Sequence, residues 1–271
     1  MGMGEKLIST NSTMKVVIFA GGLGTRISEE TDVRPKPMVE IGGKPILWHI
    51  MKIYSHYGFN DFIICLGYKG YVIKEYFMNY FLHDSDITID IKNNKIEVHD
   101  TNSEAFKVTL VNTGLNTKTA GRLKMVEKYI GEEDFMLTYG DGVSNVDLHK
   151  LLDFHKQHGK IATVTGVQLA SRFGGMDLDE KGDVVDFKEK TKDESKWINA
   201  GFFVLKPAVF KYLQKDMANM MWEDDPLEQL SADGELAAYR HTGFWKCMDA
   251  LRDKIELEEL WQNKEAKWKI W

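Results

Sequence analysis

Apolar and polar positions along this chain fall into blocks that switch between two periods. Short β-branched runs are followed by longer segments whose apolar positions recur every three to four residues, the signature of strands alternating with amphipathic helices. Lys15–Ala20 and Asp61–Leu66 read as buried strands, each followed by a predicted helix, over Ile46–Tyr57 and Val72–Phe81. Helices are also predicted over Gly121–Tyr129 and Leu148–His158, with strands over Phe135–Tyr139 and Ile161–Val167. Such alternation implies parallel strands joined by right-handed crossovers.

Two stretches break the rhythm. From Ile87 to Val111 the pattern leaves the α/β order, and Ile87–Ile91 and Lys95–Val98 flank Asn93-Asn94 as a β-hairpin. Gly174–Leu178 and Val184–Lys188, separated by Glu180-Lys181-Gly182-Asp183, carry the same signature. Beyond them, Asn199–Leu205 and Leu236–His241 are strand-like, Leu227–Leu230 is helical and Leu251–Trp261 is a closing helix. The expected fold is α/β, a Rossmann-like doubly wound mixed sheet with β-hairpin insertions. His155 and His158, on a predicted helix, are expected to face solvent.

Composition narrows the class. A chain of 271 residues with 43% hydrophobic positions can bury a sizeable core. Net charge of −6 and a pI near 5.8 argue against general binding to nucleic acid or anionic membranes. No apolar run approaches the roughly 18 residues of a membrane span, and mean hydropathy is −0.34. Residues 1–13 are polar and lack a signal-peptide core, so they read as a disordered leader or a cloning remnant, with Met14 a natural start. Cys65 and Cys247 form neither a metal spacing nor a disulfide framework, which fits a reducing cytoplasm and buried thiols. Trp261, Trp268 and Trp271 crowd the C-terminus, as a cap on the core or as an oligomer surface.

The candidate chemistry begins where the first strand stops, at Ala20-Gly21-Gly22-Leu23-Gly24-Thr25-Arg26. Three glycines let backbone N–H groups close around an anion. Thr25 adds a hydroxyl, and Arg26 a planar charged fork suited to phosphate oxygens. Pro35-Lys36-Pro37 then presents a lysine between two residues of fixed φ. Together these suggest a polyphosphate site. It is neither a dinucleotide fingerprint, because Ile27 stands at the last glycine position, nor a P-loop, because Gly43-Lys44 follows Met38 at the wrong place and precedes Pro45.

In open α/β sheets ligands collect at the carboxyl ends of strands, where both the glycine loop and Gly140-Asp141-Gly142 fall. Asp141 suits a Mg²⁺ ligand beside phosphate, and equally a turn residue. Asp249 fits either its partner carboxylate or the N-cap of the last helix. Glu189, Lys190 and Asn199 supply the acid, cation and amide that a sugar phosphate requires, with Gly201 a small residue beside the amide. As a plain charge cluster, Lys188 to Lys192 would equally be a solvated surface.

Gly21 to Arg26 followed by Pro35-Lys36-Pro37-Met38 resembles the signature of sugar-1-phosphate nucleotidyltransferases. Tyr139-Gly140-Asp141-Gly142, Glu189-Lys190, Asn199-Ala200-Gly201 and Trp245 to Asp249 follow in that family's order, from about Met14 to Trp271. The closest similarity is to its cytidylyltransferase branch, in KPMVEIGGKPILWH (Lys36 to His49), GYKGYVIKEYF (Gly67 to Phe77), Gly121-Arg122-Leu123-Lys124 and Met248 to Asp253. Two departures from many relatives stand out, Thr191 in place of a proline and Asp249-Ala250-Leu251-Arg252 in place of an aspartate-x-Gly-Thr run. The second is characteristic of the cytidylyltransferases.

The resemblance implies one nucleotidyltransferase domain over 14–271 that transfers a cytidylyl group from CTP to glucose 1-phosphate, with Mg²⁺, in dideoxysugar synthesis. It places Arg26 and Lys36 on the triphosphate and the metal on Asp141 and Asp249. Ala20 to Thr25, Thr117, Arg122 and Gly140 fall around the nucleotide, and Glu189, Lys190, Asn199 and Gly201 around the sugar phosphate. It also implies a homo-oligomer, a hexamer, with the first hairpin as a candidate contact. The same reaction with UTP or dTTP, and a non-catalytic sugar-nucleotide sensor, remain as alternatives.

Overall fold

The computed structural model describes residues 13–83, 85–101, 104–168, 175–178, 184–188, 197–213 and 217–271. Seven strands form the central sheet: β1 (Lys15–Ala20), β2 (Asp61–Leu66), β3 (Lys107–Asn112), β4 (Phe135–Tyr139), β5 (Ala162–Gln168), β6 (Trp197–Leu205) and β7 (Leu236–His241). Their spatial order is β7-β5-β6-β4-β1-β2-β3. β1 pairs in parallel with both β2 and β4, β2 with β3, and β5 with β7. β6 alone runs antiparallel to its neighbours β4 and β5. The mixed, doubly wound α/β expectation holds.

The β-branched runs explain the burial. Val16 and Ile18 of β1 enter the core on one face with Leu47, Ile50 and Tyr54 of α1 (Ile46–His56). Val17 and Phe19 enter the other face with Leu123, Val126 and Ile130. These belong to α3 (Thr119–Ile130), which follows α2 (Gly70–Met78). Each such Val, Leu or Ile contributes about 1.5–3 kcal/mol by leaving water, which fixes the strand register against its helices. α4 (Leu148–His158), α5 (Asp225–Ala232) and α6 (Leu251–Gln262) complete the layers.

Both hairpins form as separate antiparallel ribbons, Ser85–Asp90 with Lys95–Thr101 and Gly175–Leu178 with Val184–Lys188. Three expectations change. The interrupted stretch ends in β3, a parallel edge strand whose pattern is weak because it is only partly buried. The helix predicted to reach Phe81 stops at Met78, and a separate turn follows over Tyr80–His83. His155 is fully buried, with Nδ1 2.7 Å from Thr163 Oγ1, and His158 Nε2 lies 2.7 Å from the same hydroxyl. One stripe of α4 packs on β5, so these histidines meet a strand hydroxyl rather than solvent.

The C-terminal tryptophans cap the core. Trp268 is buried and its Nε1 donates to His49 Nδ1 at 3.3 Å, while Trp261 and Trp271 set their rings around the same imidazole.

Candidate active site

The carboxyl ends of β1 and β4 lie side by side, because Phe19 stands in register with Tyr139. Gly140 N–H donates to Phe19 O at 2.9 Å, extending the pairing past the strand. A Cβ on Gly140 would lie 2.7 Å from that carbonyl, so only glycine allows the approach that sets Asp141 at the cleft. Beyond it, Gly142–Ser144 pairs antiparallel with Trp245–Cys247, and Met248 N–H donates to Asp141 O at 2.8 Å. That ribbon carries Asp249 to the side of Asp141.

Lys36 arrives from a third direction. Pro35 and Pro37 frame a single 3-10 turn over Lys36–Met38, closed by Met38 N–H donating to Pro35 O at 2.8 Å. Lys36 Nζ lies 2.6 Å from Asp141 Oδ2 and 2.8 Å from Asp249 Oδ1, across sequence separations of 105 and 213 residues. Burial alone would lower the Lys36 pKa, but the two carboxylates outweigh it and raise the value, so the ammonium persists. The last helix does not use Asp249 as its cap. Asp253 reaches back instead, its Oδ2 accepting from Asp249 N–H at 3.0 Å and Ala250 N–H at 2.9 Å, which leaves the Asp249 carboxylate to the cleft.

These groups border a cleft of about 490 Å³. Of the residues singled out in the sequence, Ala20, Gly22, Gly24, Thr25, Lys36, Gly140, Asp141, Asn199 and Asp249 line it. Arg26 belongs by its backbone to the 3-10 turn that follows the loop. Leu23 is exposed at the loop tip. Glu189 and Lys190 lie outside the described residues.

Gly21, Gly201, Thr117 and Arg122 do not border the cleft. The guanidinium of Arg122 sits behind the glycine loop and donates to Gly21 O, Leu66 O, Thr113 Oγ1, Gly114 O and Leu115 O at 2.6–3.3 Å. A Cβ on Gly21 would lie 2.2 Å from that guanidinium, so the glycine serves close packing at this position. In this structure Arg122 braces the loop from beneath, where the resemblance places it on the nucleotide.

The pair Asp141 and Asp249 fits a hard divalent cation. One oxygen of each carboxylate lies within 2.8 Å of a single point of positive charge, the Lys36 ammonium. Among the described residues no cluster of three or more His, Cys, Asp or Glu forms an all-protein cage. Two carboxylates plus phosphate oxygens and waters is the coordination Mg²⁺ commonly takes. Cys247 beside them is a neutral thiol: burial first, then Asp249 and Asp141, push its pKa up to about 12.

Glu223, Thr119, Thr138 and Met221 line the cleft and escaped the sequence reading as site residues, and Tyr139, named there only within its motif, borders it as well. Glu223 lies in Trp222-Glu223-Asp224-Asp225, which reads as the acidic start of a helix, and no local spacing marks it as a site residue.

A strand-end glycine loop, a rigidly framed lysine and two converging carboxylates meet at one cleft, an arrangement whose chemistry suits phosphate transfer. Residues 15–250 match the nucleotidyl transferase family, and the chain belongs to it. It is 56% identical over 259 residues to glucose-1-phosphate cytidylyltransferase of Salmonella typhi, covering 95% of this chain and 100% of that protein. It is 48% identical over 258 residues to the probable glucose-1-phosphate cytidylyltransferase of Bacillus subtilis, with coverage of 95% and 100%. HddC from Yersinia pseudotuberculosis superposes with a TM-score of 0.67 at 24% identity, covering 92% of this chain and 99% of that one. UDP-glucose pyrophosphorylase complexed with UDP-glucose gives 0.66 at 19%, covering 93% and 99%. At those identities the likeness is one of fold.

Proposed function

We propose that this chain transfers a cytidylyl group from CTP to α-D-glucose 1-phosphate, giving CDP-glucose and pyrophosphate. The observation that carries the reading is the Lys36 ammonium held 2.6 Å and 2.8 Å from Asp141 and Asp249, in a cleft bounded by the glycine loop. The strong identity to named cytidylyltransferases supports the choice of base and sugar.

In the proposed reaction a phosphate oxygen of glucose 1-phosphate forms a bond to the α-phosphorus of CTP. The bond from that phosphorus to the bridging oxygen breaks, and pyrophosphate leaves with the electron pair. The nucleophile is already an anion, so no general base is needed, and no histidine lines the cleft among the described residues. Catalysis then rests on positioning and on neutralising charge. The loop backbone from Ala20 to Thr25, Thr117 and Gly140 receive the nucleotide, while Arg122 braces the loop from behind. Lys36 and Arg26 meet the triphosphate, and Glu189, Lys190 and Asn199 hold the sugar phosphate, with Gly201 N–H donating to Asn199 Oδ1 at 2.8 Å behind it. Asp141 and Asp249 would hold Mg²⁺, which when bound offsets phosphate charge. Residues 14–271 act as one domain, in a cytoplasmic homo-oligomer.

The test is Mg²⁺-dependent pyrophosphate release from glucose 1-phosphate with CTP, UTP, dTTP, ATP and GTP in parallel. Strong preference for CTP is the expected result. Preference for another triphosphate retains the transfer chemistry and overturns the base. Silence with all five overturns the proposal.

A further inference from the structure

One wall of the cleft carries a chain of hydrogen bonds that the charged cluster does not use. It begins where residues 217–222 cross the start of α3. Lys118 N–H donates to Ala218 O at 2.7 Å, Ala120 N–H to Met220 O at 3.1 Å, and Trp222 N–H to Thr119 Oγ1 at 2.7 Å. Trp222 is fully buried in the core, so Glu223 leaves from an anchored backbone. Its carboxylate accepts from Thr119 Oγ1 at 2.9 Å on one oxygen and from the Tyr139 hydroxyl on the other.

The chain continues toward the sugar-phosphate side. Asn199 Nδ2 donates to the Tyr139 oxygen at 3.2 Å, and Asn199 Oδ1 accepts from Gly201 N–H at 2.8 Å. The polarity is dictated by the donor inventory: a carboxylate only accepts, a phenol gives one proton, and an amide nitrogen only donates. Burial and the neighbouring Glu223 both raise the Tyr139 pKa, so the phenol keeps the proton it gives to Glu223. Asn199 is exposed at the mouth of the cleft, and without these partners its amide would sample several rotamers and both flips. With them, one N–H and one oxygen lone pair are fixed toward whatever enters.

We propose that Glu223 and Tyr139 are positioning residues for the sugar-phosphate half of the cleft, holding the Asn199 amide in its ligand-receiving orientation. This rests on the reading of Asn199 as a sugar-phosphate contact. The hydrogen bonds of both side chains run to Thr119, to each other and to Asn199 rather than to the glycine loop or Lys36, so their loss is expected to fall mainly on one substrate. A structural role in general folding would weaken both substrates alike.

The experiment is steady-state kinetics on the full-length chain with both substrates varied, for Tyr139→Phe, Glu223→Gln and Asn199→Ala. Each is expected to raise KM for glucose 1-phosphate about tenfold, with KM for the preferred triphosphate changed less than about twofold, as loss of preorganisation predicts. The double variant Tyr139→Phe with Asn199→Ala is expected to be no worse than Asn199→Ala alone, because both act through one amide. Unchanged KM for the sugar phosphate in Asn199→Ala overturns the reading of Asn199, and the relay with it. A raised value there, with unchanged values in Tyr139→Phe and Glu223→Gln, overturns the relay alone. Equal rises for both substrates, or additive losses in the double variant, also overturn it. Tyr139→Phe removes only one oxygen, so it carries the test if Glu223→Gln does not fold.

Discussion

Lys36 and Arg122 approach the glycine loop from opposite sides. Lys36 faces the cleft, and its ammonium touches two carboxylates at 2.6 and 2.8 Å. Arg122 is only 4% exposed, and its guanidinium is held by four carbonyls and one hydroxyl. Carboxylates raise the Lys36 pKa against its burial, whereas burial lowers that of Arg122 with little to oppose it. The guanidinium remains charged regardless, since even a lowered value lies far above neutral pH. A cation facing paired carboxylates can pass to an incoming phosphate. A cation saturated by backbone oxygens is architecture, because moving it would strand acceptors that water cannot reach.

The largest effect expected from this contrast is catalytic. Lys36→Ala and Asp141→Asn should each lower turnover by about 10²-fold or more, the usual loss when a preorganised charge contact is removed. Thermal unfolding should show a midpoint within a few degrees of the parent for both. A chelator of divalent cations should silence the parent enzyme as well. Near-normal pyrophosphate release from either variant would dissolve the catalytic side of the comparison.

Arg122→Met tests the architectural side. Buried acceptors left without a donor cost about 1–3 kcal/mol each before water enters, so a loss on the order of 3 kcal/mol is expected in a urea titration. Nucleotide affinity should fall only through the loosened loop. Unchanged stability with lost nucleotide binding would place the guanidinium on the ligand, as the family resemblance implies, and end the contrast with Lys36.

The histidines sharpen the rule that a buried cation needs oxygen partners. His155 shares one hydroxyl at Nδ1, while its Nε2 makes no hydrogen bond among the described residues and lies 3.8 Å from Asp134. Burial, and then His158, lower its pKa to about 4 from an ordinary 6.5. The unfolded chain therefore binds this proton more tightly, and stability is lost as pH falls from 6.5 toward 4. The loss is about 2 kcal/mol at pH 5. His155→Gln should flatten that part of the stability–pH curve, and an unchanged slope would show that the imidazole is not the group titrating.

Most of this frame is legible in the sequence, and the exceptions share a cause. Phe135–Tyr139 and Leu148–His158 fall where the apolar pattern puts them, the strand because both its faces are buried and leave a continuous apolar run, the helix because one regular stripe of it is buried. Lys107–Asn112 is overlooked because an edge strand buries too little to enforce a pattern. Lys36, Asp141 and Asp249 are legible through prolines and glycines, which constrain the backbone locally. Glu223 and the clamping role of Arg122 are not, since each depends on what three distant segments bring to one point. Local chemistry can be read along a chain, but partners chosen by topology need the fold.

The smallest effect expected concerns the tie between α6 and the loop. Lys254 pairs with Glu30, on the short helix that follows the glycine turn, and both side chains are about one-quarter exposed. Geometrically this bridge looks like a strut holding the Asp249 end of the site to the loop. Energetically it is a partly solvated pair of long side chains, whose Coulomb gain is offset by ordering and screened by salt, leaving about 0.5 kcal/mol. Its neighbour, Gly42 N–H donating to Glu258 Oε2 at 2.8 Å, ties the same helix to the chain beyond Lys36 without needing Lys254. Lys254→Met should therefore shift the unfolding midpoint by no more than a degree or two and leave turnover within about twofold. A tenfold loss of turnover at unchanged stability would make Lys254 part of the charge set that Lys36 now defines, extending the catalytic side of the cleft onto α6.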